Sequence, residues 1–202
     1  MAKVLLGIVG AIVLVAIVLG LTVSGTYNSL VRLDQGTQAQ WAQVENVYQR
    51  RADLVPNLVA TVKGAANFEK ETLTAVTEAR ARVGQVTSAA IGNIARDPQA
   101  FARFQQAQDG LSSALSRLMV VSERYPELKA TAGFRDLQAQ LEGTENRISV
   151  ERMRFNEAAQ AFNTKRQSFP TVVIAGFFGD TFQPKAYFKA QTGAEKPPEV
   201  KF

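Results

Sequence analysis

The chain has 202 residues, enough for one domain with attachments, and a net charge of +5. It contains no Cys and no His, which excludes disulfides, thiol nucleophiles, Zn–thiolate sites and every mechanism that uses imidazole as base or ligand. Basic and acidic residues intermingle without a Lys/Arg block, so nucleic acid is not an expected partner.

The first element is a membrane anchor. Residues 4–23, VLLGIVGAIVLVAIVLGLTV, carry no charge. At about 1.5 Å per residue they reach about 30 Å, the thickness of a bilayer's hydrocarbon core. A cleaved signal peptide is the alternative, but its apolar region runs only about 7–15 residues. Lys3 precedes the span, and Arg32 and Asp34 are the first charges after it. By the positive-inside rule this favours the N-terminus inside and the domain outside. Gly7/Ala11 and Ala16/Gly20 are small-residue pairs of the kind that lets spans pack closely.

Four helices are predicted next. In the first, Trp41, Val44, Tyr48, Arg51, Val55, Leu58 and Val62 step by three and four, the spacing of one buried face. Only Gly25 and Gly36 interrupt the run from the anchor, so this helix is expected to continue the span. Pro56 lies inside it and should bend it near Ala52–Asp53. Gly64 marks its end. A second helix reads from about Asn67 to Ala90, with Phe68, Val76 and Val83 on its apolar side. Gly92-Asn93 and Asp97-Pro98 mark the next turn, with Asp97 as N-cap and Pro98 at the first helical position. The third helix places Phe101, Phe104, Leu111, Leu115 and Leu118 on one face, and should stop near Tyr125-Pro126.

In the fourth helix Phe134, Leu141, Ile148, Phe155, Phe162 and Phe169 recur every seventh residue. A seven-residue period predicts a seam packed at a shallow angle. The companion positions Leu137, Thr144, Glu151, Ala158 and Lys165 are half polar, which argues for several neighbours, as in an antiparallel four-helix bundle, rather than a lone coiled coil.

Arg51 stands on the first helix's apolar stripe and needs a partner for its head group. From Asn28 to Arg51 is about 34 Å of helix. The same distance counted back from Phe169 reaches Asn146. The expectation is an interhelical polar layer of Arg51 with Glu145 and Asn146, joined by Arg152 and Asp53. Such a layer contributes little net stability but can fix register. The rival reading is a carboxylate site for a cation or for acid–base work; with no His, the Glu-x-x-His pairs of di-metal bundles are absent, and no cofactor, metal or catalytic residue is expected.

These segments resemble the LemA family of bacterial membrane-anchored proteins. YNSLVRLDQGTQAQWAQVENVYQRRADLVPNLVATVKG is similar to its first-helix signature and FEKETLTAVTEARARV to the second. ERYPELKA resembles the third-to-fourth connection, LEGTENRISVERMRFNEAAQAFN the fourth helix, and FPTVVIAGFFG followed by AYFKA the C-terminal segment. The match runs from Tyr27 to Ala190, with Phe68 standing where members often have His. The resemblance implies a single N-terminal span and a long four-helix bundle. It brings no agreed activity and no assigned catalytic residue; the family is associated with envelope stress, membrane organisation and organelle formation.

After Phe169-Pro170 the composition changes. Phe177, Phe178, Phe182, Tyr187 and Phe188 are interrupted by Gly176, Gly179 and Pro184, too short and broken a run to cross a bilayer. Aromatics suit the membrane interface, so this segment either meets lipid or packs on the bundle or a neighbouring subunit. The expected division is an anchor over 1–25, a bundle over 26–169, an aromatic membrane-proximal segment over 170–190 and a disordered tail over 191–202. The functional expectation is a non-enzymatic scaffold in the bacterial inner membrane, single-pass, with the bundle outside the cytoplasm, self-associating or organising a membrane-protein partner. A sensor or adaptor working through the continuous helix is the second class, and a carboxylate-dependent enzyme the third.

Overall fold

A computed structural model describes residues 2–64, 69–89 and 94–189. Among them there are six α-helices, one 3-10 turn and no strand. The helices are α1 (Ala2–Lys63), α2 (Lys70–Ala89), α3 (Pro98–Ser122), α4 (Pro126–Ala130), α5 (Ala132–Gln167) and α6 (Thr171–Phe177), followed by the turn Gly179–Phe182. The expected Gly92-Asn93 turn, the Phe68 position and the disordered tail over 191–202 lie outside the described residues.

α1 is unbroken from Ala2 to Lys63, with Pro56 inside it. Pro56 has no N–H to offer the carbonyl of Ala52 one turn back. Arg80 of α2 supplies the missing donor, its Nε lying 3.0 Å from that oxygen. α3 starts as its sequence dictates: the Asp97 side chain accepts from the Gln99 N–H at 2.8 Å and Pro98 follows the cap. It ends at Ser122. Pro126 then opens α4, a one-turn helix that periodicity did not anticipate. α5 ends at Gln167, so Phe169 falls past its last turn and is 84% exposed. The heptad seam therefore closes at Phe162, and the last expected member is corrected: without the helix nothing holds Phe169 on the seam. α6 ends at Phe177 with Phe178 as its cap, and Gly179 follows at a positive φ of 49°, the left-handed conformation that lets a helix stop without a Cβ penalty.

The chain divides into two compact units, and both long helices contribute to each. One comprises Met1–Ala39 with Glu157–Lys185, the other Gln40–Asn156 with Ala186–Phe202. In the second unit, Leu54, Val55, Leu58 and Val62 of α1 join Leu73, Val76 and Val83 of α2, Leu111, Leu115 and Leu118 of α3, and Phe134 and Leu141 of α5. An aromatic cluster adds to it. The Trp41 ring lies 5.2 Å from Phe104 and 5.5 Å from Phe155, and Phe101 lies 4.7 Å from Phe188. In the first unit, Leu30, Phe162, Ala175 and Phe182 form a smaller core beside Tyr27 and Val31.

Candidate functional site

The most polar place in the second unit's interior is built around Arg51, whose residue exposure is 1%. The helical spacing that buries Val44, Tyr48, Val55 and Leu58 carries Arg51 inward with them. Its guanidinium is met from two other helices. Nη1 donates to Ser112 Oγ and to Glu145 Oε1, both at 2.6 Å. Nη2 donates to the Gln108 side-chain oxygen and, at 3.2 Å, to the Gln108 carbonyl. The group stacks 5.0 Å above the Tyr48 ring. Nε is buried without a hydrogen-bond partner.

A second cation extends the arrangement. Arg152 Nε donates to the Tyr48 hydroxyl at 2.6 Å, and Nη2 lies 3.2 Å from Asp109. Its guanidinium also sits 4.9 Å from the Phe188 ring. Burial pushes the Tyr48 phenol above its ordinary value of 10.0, against the opposing pull of Arg152 and Arg51. The phenol is thus held protonated.

Not every residue expected in this layer takes part. Asn146 is exposed and lines the rim of an adjoining groove of about 680 Å³. Asp53 is corrected: it lies on the exposed face of α1, two positions round the helix from Arg51, and accepts from Gln49 at 2.8 Å on its own helix. Gln108, Ser112, Asp109 and Tyr48 complete the junction, and sequence reasoning missed all four as polar partners. Tyr48 stood on the apolar stripe of α1, and Gln108 completes the three-and-four spacing of α3's buried face between Phe104 and Leu111, so both could have been found; Ser112 and Asp109 lie off that face and showed no period.

The aromatic segment divides. Phe177 is 86% exposed, and Phe178 and Tyr187 are exposed to 38% and 39%. Phe182 and Phe188 are core residues, the packing alternative of the two expected for this segment. Phe182 packs 5.4 Å from Tyr27 in the first unit. Phe188 lies in the second unit's aromatic cluster, 5.5 Å from Phe155. Asparagines on α5 hold the backbone between these rings. Asn163 accepts from the Lys185 N–H at 2.8 Å and donates to the Lys185 carbonyl at 2.9 Å. Asn156, one heptad earlier, makes the same pair with Phe188 at 2.9 and 3.0 Å. Lys185 forms an ion pair with Asp34 in the first unit and stacks 4.9 Å from Phe162.

Chemically, these groups hold one another. Both terminal nitrogens of Arg51, and Nε and Nη2 of Arg152, donate to protein oxygens, and no cluster of three or more acidic ligands occurs among the described residues. The class they define is an all-helical protein with a long apolar N-terminal helix and a polar junction in its interior. Residues 40–202 match the LemA family model, and the chain belongs to the LemA family. It is 27% identical over 185 residues to magnetosome protein MamQ 2 of Paramagnetospirillum magneticum, covering 85% of this chain and 67% of that protein. MamQ of Magnetospirillum gryphiswaldense is 26% identical with the same coverage. Protein LemA of Metamycoplasma hominis is 25% identical over 151 residues, or 75% of this chain and 64% of the relative.

Proposed function

We propose that the protein is a non-enzymatic scaffold held in a bacterial inner membrane by α1, single-pass, with its helical bundle outside the cytoplasm. The observation that carries this reading is α1 itself. It contains an 18-residue window of mean hydropathy 3.1, none of it buried, at the start of a helix whose later turns supply the core stripe from Leu54 to Val62. An apolar surface of that length has bilayer as its natural solvent.

The rest of the chain is taken to be an antiparallel four-helix bundle of α1, α2, α3 and α5. Contact pairs support that order. Trp41 meets Phe155 and Arg51 meets Glu145, so ten residues up α1 correspond to ten residues down α5. Trp41 meets Phe104 and Arg51 meets Ser112, so α3 runs with α1. Arg124, just past α3, pairs with Glu69, just before α2. An interior of the second unit occupied by interlocked rings and by an arginine whose two terminal nitrogens are both engaged suits a rigid body that presents surfaces. The names of the MamQ relatives tie them to magnetosomes, which fits work at a membrane rather than in metabolism.

Size-exclusion and cross-linking of the detergent-extracted full chain test the scaffold. A discrete large assembly is expected. A monomer that captures one membrane protein from native membranes would instead favour an adaptor, the reading supported by the unbroken run of α1 through Pro56. A C-terminal alkaline phosphatase fusion should be active if the bundle lies outside the cytoplasm; an inactive fusion reverses the orientation.

A further inference from the structure

We propose that α6 is a second membrane contact, and that with the C-terminal end of the span it forms a groove for phospholipid acyl chains in the outer part of one leaflet. The proposal rests on the reading of α1 as a membrane span. It concerns the first unit alone.

α6 is apolar on both sides. Thr171, Ile174 and Ala175 face the core of the unit. On the other side Val173 and Phe177 are 52% and 86% exposed, and Phe169, just before the helix, is 84% exposed. From Ser168 to Gly179 no residue is charged. Two exposed phenylalanines that line one groove mark a surface that meets something apolar. Several backbone N–H groups here are already paired within the chain. Val172 N–H donates to Ser168, Val173 and Ile174 N–H to the Pro170 carbonyl, and Phe178 N–H to Gly176. Pro170 has no N–H.

The position of this surface says what covers it. Phe169, Val173 and Phe177 share a groove of about 370 Å³ with Leu19, Thr22 and Val23 of α1. The hydroxyl in that wall is turned away from it: Thr22 Oγ1 donates to the Val18 carbonyl at 2.8 Å. If residues 4–23 fill the hydrocarbon core, Leu19 lies about 6 Å inside its edge. The groove therefore opens at the depth where acyl chains begin, and its α1 wall is part of the immersed span. Lys165 and Arg166 in the last turn of α5 precede it, cations suited to the phosphate level. A second protein copy would have to displace lipid already present at that depth.

The absence of Cys makes the test direct, because any introduced thiol is unique. The full chain is reconstituted in vesicles of phosphatidylcholine and phosphatidylglycerol, with spin labels at Phe169→Cys and Phe177→Cys. Both side chains are exposed, so neither change removes packing. Ile12→Cys reports the span and Val120→Cys, 70% exposed on α3, reports water. The ratio of oxygen to nickel-chelate collisions should be several-fold higher at positions 169 and 177 than at Val120→Cys, approaching that at Ile12→Cys. Nickel-dominated collisions at both, with Ile12→Cys still lipid-like, overturn the second contact and leave the span standing. A label at 177 that is immobile and shielded from both reagents means protein fills the groove, and overturns the lipid occupant. Water-like collisions at Ile12→Cys remove the span and this proposal together.

Discussion

Each unit buries a cation, and the two solve the problem differently. Arg51 in the second unit spreads its charge over a planar fork that reaches a serine, a glutamine side chain, a carbonyl and Glu145. Its anion stays in touch with water, the Glu145 side chain being 43% exposed. Lys185 in the first unit is a compact ammonium paired with Asp34, and the two side chains are only 4% and 13% exposed. A guanidinium keeps neutral acceptors when its anion is lost, whereas an ammonium depends more heavily on the opposite charge. The first arrangement spreads its charge over several acceptors; the second sets a compact cation against one enclosed carboxylate and the Phe162 ring.

That contrast orders the expected effects of mutation. Asp34→Ala should cost the most, about 3–5 kcal/mol, because it leaves Lys185 charged and enclosed. Thermal unfolding of the detergent-solubilised chain checks it, and a loss smaller than that of Glu145→Ala would break the comparison. Glu145→Ala should cost about 1–2 kcal/mol, since solvent already screens that pair and Ser112 and Gln108 remain. A cycle of Arg51→Leu with Glu145→Leu sharpens it: the double variant should recover much of the loss, and strict additivity would show that the pair is not coupled.

Arg80 offers a milder case, a cation that serves a carbonyl rather than an anion. Arg80→Ala should cost about 0.5–1 kcal/mol by leaving the Ala52 oxygen to solvent. In a Pro56→Ala background the residue-56 N–H can reach that oxygen, and the same change should cost less. Equal costs in both backgrounds would mean that Arg80 does not compensate for the proline.

The smallest effect is a pH dependence. The folded state holds the Tyr48 proton more tightly than the unfolded chain does. Its contribution is therefore complete below pH 10 and is lost as pH rises toward the higher folded value. Above pH 10 the native chain should lose stability faster than Tyr48→Phe. Parallel alkaline curves for the two would remove the phenol's protonation from the account of the junction.

Much of this protein follows from local spacing alone. An uncharged run of twenty residues is long and apolar enough, as a helix, to cross a bilayer. The three-and-four steps of α1, the cap at Asp97-Pro98 and the heptads from Phe134 to Phe162 encode which face of each helix is buried. Counting along two helices sufficed to bring Arg51 level with Glu145, because rise per residue is constant and Pro56 lies beyond the counted stretch of α1. Periodicity is silent wherever the chain leaves a helix or where a partner comes from an unrelated turn. Gln108 and Ser112 matter only because α3 passes beside Arg51. Asp53 looks, in sequence, as close to Arg51 as a partner could be, yet two residues along a helix turn it through about 200° to the other side. Phe169 continues the seven-residue count but not the helix, so it faces outward. Phe182 and Phe188 read like Phe177 in the sequence. They are buried where Asn163 grips the backbone of Lys185, 22 residues on, and Asn156 that of Phe188, 32 residues on, contacts made only by the return of the chain.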